Sequence, residues 1–301
     1  MASIDRAYPV YWEAAVLIAS ATNKRVYLLA NSAKSEAAAA LHRLKLMVEA
    51  RSTLVGLSEE LDGSPAVGAG ADRLIVLGGD GTLIGAARSL GRNQIAFIGV
   101  NIGKLGFLAE FSLDELERCF DQAVSDDGLV GRRSILDVSI SRNGSDTESI
   151  PAVNDCVIQA GPPFRIIRLG VAINGSHLTE LAGDGVILCT PSGSTAHNLS
   201  AGGPIMQPGV DAIVLTPLCP HSLTHRPLVM QRDAAIEIEA LHVNDGTTLI
   251  VDGQVSYAVQ PGDRITVRRY ESDLLLVHNP LHQRWHNLTS KLHWGRAPNY
   301  D

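Results

Sequence analysis

The stretch Leu74-Ile-Val-Leu-Gly-Gly-Asp-Gly-Thr-Leu-Ile-Gly85 ends an apolar run in three glycines wrapped around one aspartate. A turn needs one or two glycines, whereas three let a large anionic group approach the backbone closely. An apolar strand that runs into a glycine-rich turn and then a helical pattern, with Leu83, Ile84, Ala87 and Leu90 on one face, can cradle phosphate on its backbone N–H groups. Asp80 is out of place in a pure phosphate binder, because an acceptor-only carboxylate repels phosphate. As a helix cap alone it explains one or two of the glycines. A carboxylate at this position gains a use when it orients and deprotonates a hydroxyl that attacks the phosphate. Two common nucleotide loops do not fit. G-x-G-x-x-G from Gly79 ends on Ile84, and GVNIGKL has its first glycine one residue too close and Leu105 where a P-loop needs a hydroxyl.

The elements that must position this loop follow from the rest of the chain. With 301 residues and 45% apolar content, the chain is long enough for two domains with substantial cores. A 5% aromatic share and 28 glycines fit a turn-rich α/β or mixed protein better than a helical bundle. The net charge of −7 argues against nucleic acid and anionic membranes as partners, so bound phosphate must be held by a few placed groups. Cys119, Cys156, Cys189 and Cys219 are widely scattered with no C-x-x-C pair, which suits a reducing cytoplasm. Residues Ala14 to Ser20 are apolar but short and follow Asp5 and Glu13, so a secretory leader is not expected. No 18-residue apolar run is present to span a membrane. Residues 1–23 read as an N-terminal extension.

From Lys24 the pattern alternates: the strand RVYLLAN, a helix over Ser35–Ala50 with Ser35 as its cap, a strand at Thr53–Leu57, LIVL and the glycine loop, the buried strand IAFIGV, and the helix SLDELERCFDQAVSDDG ending at Gly128. This predicts a parallel α/β domain over residues 24–130. After Gly131, short Val- and Ile-rich runs and the hairpin signals Asn143-Gly144 and Asn174-Gly175 predict a β-rich, sandwich-like domain over 131–279. The tail LHQRWHNLTSKLHWG is helical again and is expected to return to the first domain as residues 280–301.

GGDGT is shared by a kinase superfamily that includes diacylglycerol kinases, 6-phosphofructokinases and NAD kinases. Further motifs narrow the resemblance: Asn101-Ile-Gly-Lys-Leu-Gly-Phe107, Ala152-Val-Asn-Asp155, Gly183-Asp-Gly-Val-Ile-Leu-Cys-Thr-Pro-Ser-Gly-Ser-Thr-Ala196 followed by LSAGGP, PHSLTHRPLV, and Val251-Asp-Gly-Gln254. Over roughly residues 70 to 295, in order, the chain resembles the NAD kinases. The resemblance implies phosphorylation of the adenosine ribose 2′-hydroxyl of NAD to give NADP, with ATP or polyphosphate as donor and Mg²⁺ carried on the donor phosphates rather than in a protein cage. It implies Asp80 as general base and Gly78, Gly79, Gly81 and Thr82 as the phosphate-receiving loop. Asn154 and Asp155 would contact adenine and its ribose. Ser192, Thr195, Ala196, His197 and Ser200 would wrap the adenine end, Asp184 would touch the far end of the dinucleotide, and Gln254 would complete the site. Family members are homodimers or homotetramers, which implies the same here.

Three positions depart from the family pattern. His197 replaces the usual Tyr, Asp155 is one methylene shorter than the common Glu, and Ala182 stands where some members carry Arg. Two alternative functions remain at this stage: a lipid or diacylglycerol-type kinase, which shares GGDGT, and a catalytically silent NAD(P)-binding sensor. His278, His282 and His286 fall at i, i+4, i+8, but Pro280 interrupts the helix and surface or packing roles outweigh a metal face. His221 and His225, in PHSLTHRP, can equally be structural. Ser194 and His197 lack the G-x-S-x-G elbow of a hydrolase.

Overall fold

The computed structural model describes residues 23–30, 35–103, 106–283 and 285–295. The proposed N-terminal extension, except for its last residue, lies outside them, as do Lys104, Leu105 and the side chain of Ser35, the expected helix cap. The first half is built from β1 (Arg25–Ala30), α1 (Ser35–Arg51), β2 (Thr53–Ser58), α2 (Ser64–Gly68), β3 (Arg73–Leu77), α3 (Asp80–Leu90), β4 (Ala96–Asn101), β5 (Phe111–Ser112), α4 (Leu113–Ser125) and β6 (Val130–Arg133). Strands alternate with helices because each strand is a continuous apolar run; β3 and nearly all of β1 and β4 are buried, as a sheet covered on both faces requires. One face packs on α1 and α4 through Leu44, Met47, Val48, Leu116 and Phe120, the other on α3 through Leu83, Ile84, Ala86, Ala87 and Leu90. α4 opens with a capping box, in which Ser112 Oγ accepts from the Glu115 N–H and the Glu115 carboxylate accepts from the Ser112 N–H. It stops at Ser125, short of the expected Gly128, because the Asp126 side chain takes the Gly128 N–H into a tight turn.

The second half continues as β7 (Leu136–Arg142), β8 (Ser145–Asp146), β9 (Ile150–Ala152), β10 (Asp155–Gln159), β11 (Ile167–Ile173), β12 (Ser176–Gly183), β13 (Gly185–Cys189), α5 (His197–Ser200), β14 (Ala212–Leu218), β15 (Leu228–Gln231), β16 (Ile236–His242), β17 (Thr248–Val251), β18 (Val255–Ala258), β19 (Arg264–Arg269), β20 (Leu274–Val277) and α6 (His286–Lys291). Two antiparallel sheets form here, ordered β15-β14-β13-β10-β17-β18 and β12-β11-β16-β19-β7-β8, with β9 beside β7. They pack face to face over one core in which Leu136, Val138, Ile236, Ile238 and Val267 of one sheet meet Cys156, Ile158, Val186, Leu188 and Leu249 of the other. This is a β-sandwich. Both expected hairpins form: Asn143 and Asn174 take positive φ (53° and 50°) ahead of Gly144 and Gly175, as two-residue primed turns demand.

The domain boundary differs from the sequence expectation. The first sheet runs β2-β1-β3-β4-β20-β6, so residues 274–277, assigned in advance to the β-rich domain, cross back into the α/β sheet. β20 lies parallel to β4 and antiparallel to β6. Its sequence Leu-Leu-Leu-Val explains the placement: Leu274, Leu276 and Val277 are buried, a continuous run suited to a sheet covered on both faces rather than to the alternation of a sandwich strand. Residues 130–133 and 274–277 are therefore the paired crossings between the domains.

Gly99 in β4 carries a further constraint. A Cβ there would stand 2.7 Å from Ala109 Cα and 2.8 Å from Leu83 Cδ1, so the missing side chain lets the segment after Gly106 and helix α3 both close on the strand. Gly99→Ala is expected to cost about 1–3 kcal/mol by overpacking, read as a lowered thermal midpoint with unchanged secondary-structure content.

Candidate active site

β3 delivers the chain to Gly78 and Gly79, and Asp80 is the first residue of α3. Its carboxylate accepts three backbone N–H groups from the facing segment: Phe107 to Oδ2 at 2.7 Å, and Leu108 and Ala109 to Oδ1 at 3.0 and 2.9 Å. A carboxylate offers about four acceptor positions, so one remains, on Oδ2. The segment can close only because residue 106 is glycine, since a Cβ there would overlap Asp80 Oδ1. Gly106 was quoted within a motif, but the sequence alone assigned it no role. The signal was present as an unexplained glycine.

The loop glycines divide into two kinds. A Cβ at Gly78 would lie 2.6 Å from the Oγ1 of the buried Thr82, so Gly78 serves the packing of the turn. A Cβ at Gly79 would meet nothing within 4 Å, and one at Gly81 only the Gln254 amide at 3.5 Å. These two glycines carry the exposed backbone of the loop.

A second carboxylate ties the sandwich to this loop. Asp252, with a fully buried side chain, accepts from the Val153, Asn154 and Asp155 N–H groups at 3.0, 2.7 and 3.2 Å and lies 3.4 Å from the Arg88 guanidinium of α3. Arg88 also donates to Gln254 Oε1 at 2.8 Å, and Gln254 Nε2 donates to the Gly81 carbonyl at 2.8 Å. Both ends of the Gln254 amide are thus taken up in positioning the glycine loop. Asp252 lies in the Val-Asp-Gly-Gln motif but was not singled out from sequence, because nothing in the motif shows which backbone it will bind. Burial pushes the Asp252 carboxyl above its ordinary value against the three N–H bonds. Burial, and then the charge of Asp252, push Asp155 up to about 7.

Among the described residues, the side chains of Asn154 and Asp155 make no hydrogen bond, which leaves an amide and a carboxyl side by side and unspent. Next to them the Thr190 N–H donates to the Asn154 carbonyl at 2.8 Å and Thr190 Oγ1 to the Val153 carbonyl at 2.7 Å. A Cβ at Gly193 would overlap the Asn154 carbonyl, so the turn carrying Ser192, Thr195, Ala196, His197 and Ser200 is packed directly on this pair. Of these, Thr195 Oγ1 is committed to the Ser192 carbonyl at 3.2 Å, while His197 and Ser200 are exposed. Ser194 is wholly buried and donates to the Pro191 carbonyl, a packing role rather than a nucleophile's. Asp184 is set apart at the other end of β13, six residue steps of ~3.3 Å from Thr190 and so roughly 20 Å along the strand.

The three histidines of the tail do not form a metal face. His278 Nδ1 lies 3.3 Å from Glu110, His282 Nε2 lies 2.9 Å from Glu115, and the His282 and His286 rings stack at 4.0 Å. Burial raises the Glu110 carboxyl, but the bond and charge of His278, the Asn279 N–H and the charge of Arg133 together hold the group below its ordinary value. Among the described residues no three His, Cys, Asp or Glu side chains are close enough to hold a metal ion. Mg²⁺ takes hard oxygen ligands and keeps phosphate and water oxygens readily, so it would enter this site on donor phosphates, leaving the Oδ2 position of Asp80 open to a hydroxyl.

Comparison with known proteins identifies the family. Residues 13–128 match the ATP-NAD kinase N-terminal domain and residues 153–279 the ATP-NAD kinase C-terminal domain. The NAD kinase of Geotalea daltonii is 44% identical over 225 residues, 75% of this chain and 79% of that one, and that of Geobacter sulfurreducens is 42% identical over the same shares. Among solved structures, yeast NADH kinase complexed with NADH superposes with a TM-score of 0.80 at 24% identity, covering 93% of this chain and 90% of that one. An NAD kinase from Archaeoglobus fulgidus in complex with ATP gives 0.73 at 24% identity, covering 89% and 98%. With both of its halves matched in order and relatives above two-fifths identity over three-quarters of its length, the chain belongs to the NAD kinase family.

Proposed function

We propose that this protein transfers the terminal phosphoryl group of ATP to the 2′-hydroxyl of the adenosine ribose of NAD, making NADP. Family membership supports the reaction. The site assignment rests on one observation, the single acceptor position left on an Asp80 carboxylate that three N–H groups hold in place. In this reading the ribose hydroxyl donates to Oδ2, which fixes the attacking oxygen and takes its proton as the new O–P bond forms and the bond to the departing diphosphate breaks. The exposed backbone at Gly79 and Gly81 receives donor phosphates, with Gly78 and Thr82 shaping the turn. Mg²⁺, arriving on those phosphates, neutralises the charge that spreads over them. Most of the rate enhancement comes from alignment, since the loop, the Phe107–Ala109 segment and the sandwich are locked to one another.

Asn154 and Asp155 read the adenine edge and the ribose diol with their unspent groups. Ser192, Ala196, His197 and Ser200 close over the adenine, and Asp184 meets the nicotinamide end. Gln254 and Thr195 act through position rather than by direct contact. Polyphosphate remains a second donor to compare with ATP. Neither a lipid kinase nor a silent sensor is favoured: the sandwich supplies dinucleotide-reading groups a lipid does not need, and the base retains a free lone pair. A homodimer or homotetramer is proposed, supported by the exposed Leu228 and Val229 on edge strand β15 and by Leu223, which is 86% exposed. A cytoplasmic location is proposed from four unpaired thiols.

NADP formation followed with an NADP-specific dehydrogenase should proceed in the wild type with Mg²⁺ and ATP. Asp80→Asn should lose roughly 10²–10⁴-fold in kcat while still binding NAD. No turnover with either donor would leave only a nucleotide-binding protein. Gly106→Ala, which drives a methyl into Asp80, should lower kcat by about 10²-fold with a near-native melting curve. Ribose hydroxyls donate to the ionised form of Asp155, so NAD should bind about tenfold more tightly at pH ~8 than at pH ~6, as the group titrates near 7. Calorimetry on Asp155→Asn should find that slope flattened.

A further inference from the structure

Lys291 closes α6, and its ammonium is buried with no hydrogen-bond partner among the described residues. It lies 4.5 Å from the centroid of the Phe107 ring, on the residue whose N–H holds Asp80 Oδ2. The two nearby carboxylates that act on its charge are Asp80 and Glu110, and neither bonds to it. Asp80 is occupied by three N–H groups, and Glu110 by His278 and the Asn279 N–H at 3.1 Å. Burial lowers the Lys291 ammonium below its ordinary value, with the two carboxylates pulling the other way.

A buried cation with three unspent donors is costly unless an anion comes to it. The Phe107 ring face gives the ammonium a cation–π contact but takes up none of its three N–H donors, so that contact alone leaves them unspent. We propose that Lys291, supplied by the C-terminal segment, is a phosphate-contacting residue that binds a terminal phosphoryl oxygen of the donor beside Asp80. This rests on reading the Gly78–Thr82 loop as the phosphate-receiving site. It explains why the tail returns to this face of the first domain: among the described residues Gly78–Thr82 offers dipoles but no full positive charge, Arg88 is committed to Asp252 and Gln254, and Arg133 lies against His278 and Glu110.

The test is calorimetric binding of MgATP to wild type, Lys291→Met and Lys291→Arg, with NAD affinity, melting temperature and NADP formation measured in parallel. Lys291→Met should weaken MgATP binding roughly 10- to 100-fold, the value of a charge-assisted hydrogen bond. NAD affinity should be unchanged, and the melting temperature should shift little, since removing a buried charge without an anion offsets the lost contact with the Phe107 ring. Lys291→Arg should recover most of the MgATP affinity. A packing role predicts the reverse, with Met tolerated and the bulkier Arg disruptive. MgATP affinity in Lys291→Met equal to wild type would overturn the proposal while leaving a wild type that makes NADP as the kinase described above. Absence of NADP formation by the wild type would instead sink the functional reading, and the binding comparison would still decide the role of Lys291.

Discussion

The Asp252 carboxylate is the constraint on which the rest of the site depends. It comes from the turn after β17 of the sandwich, is fully buried, and takes three consecutive N–H groups of the strand that carries Asn154 and Asp155. On its other side it meets Arg88 of α3, the helix that begins with Asp80. Such a charge is tolerated inside a protein only when its acceptor sites are filled and a counter-charge is near, and removing one partner typically costs about 3–5 kcal/mol. This cluster fixes the distance between the glycine loop and the Asn154–Asp155 pair. It does so through hydrogen bonds whose geometry leaves little freedom, where an apolar domain interface would permit sliding.

The second carboxylate, Asp80, uses the same device for a different end. Both groups collect three backbone N–H donors, but Asp252 is sealed between domains while Asp80 keeps one lone pair open on the loop side. Burial, and then the charge of Asp252, push Asp155 up to about 7. Asp80 at the start of α3 and Asp155 at the start of β10 are the same residue type in different surroundings.

Much of this was legible from the chain. The continuous apolar runs of β1, β3 and β4 announced a covered parallel sheet, the Asn-Gly pairs fixed two hairpins, and the glycines around Asp80 marked a tight turn opening a helix. Less legible were features that depend on partners distant in sequence. Residues 274–277 read as part of the β-rich block by proximity, yet they pair with β4 and β6 because a Leu-Leu-Leu-Val run is best buried on two faces. Gln254 read as a nucleotide contact, yet its amide is spent between Arg88 and the Gly81 carbonyl.

By itself the sequence determined element types, their order, the two-domain division and the identity of the chemical groups, because periodicity, turn residues and acid–base character are local properties. Only the tertiary structure decided which donors those groups would meet. Gly106 and Gly99 are glycine because Asp80 and Ala109 close against them, and Asp252 matters because residues 153–155 present their N–H groups to it. Lys291 has a buried ammonium with no hydrogen-bond partner among the described residues only because the tail folds back over the Phe107 ring. Contacts between residues 10 to 184 positions apart leave no pattern in a single chain, since hydrogen-bond saturation and burial are properties of the assembled site and not of any segment within it.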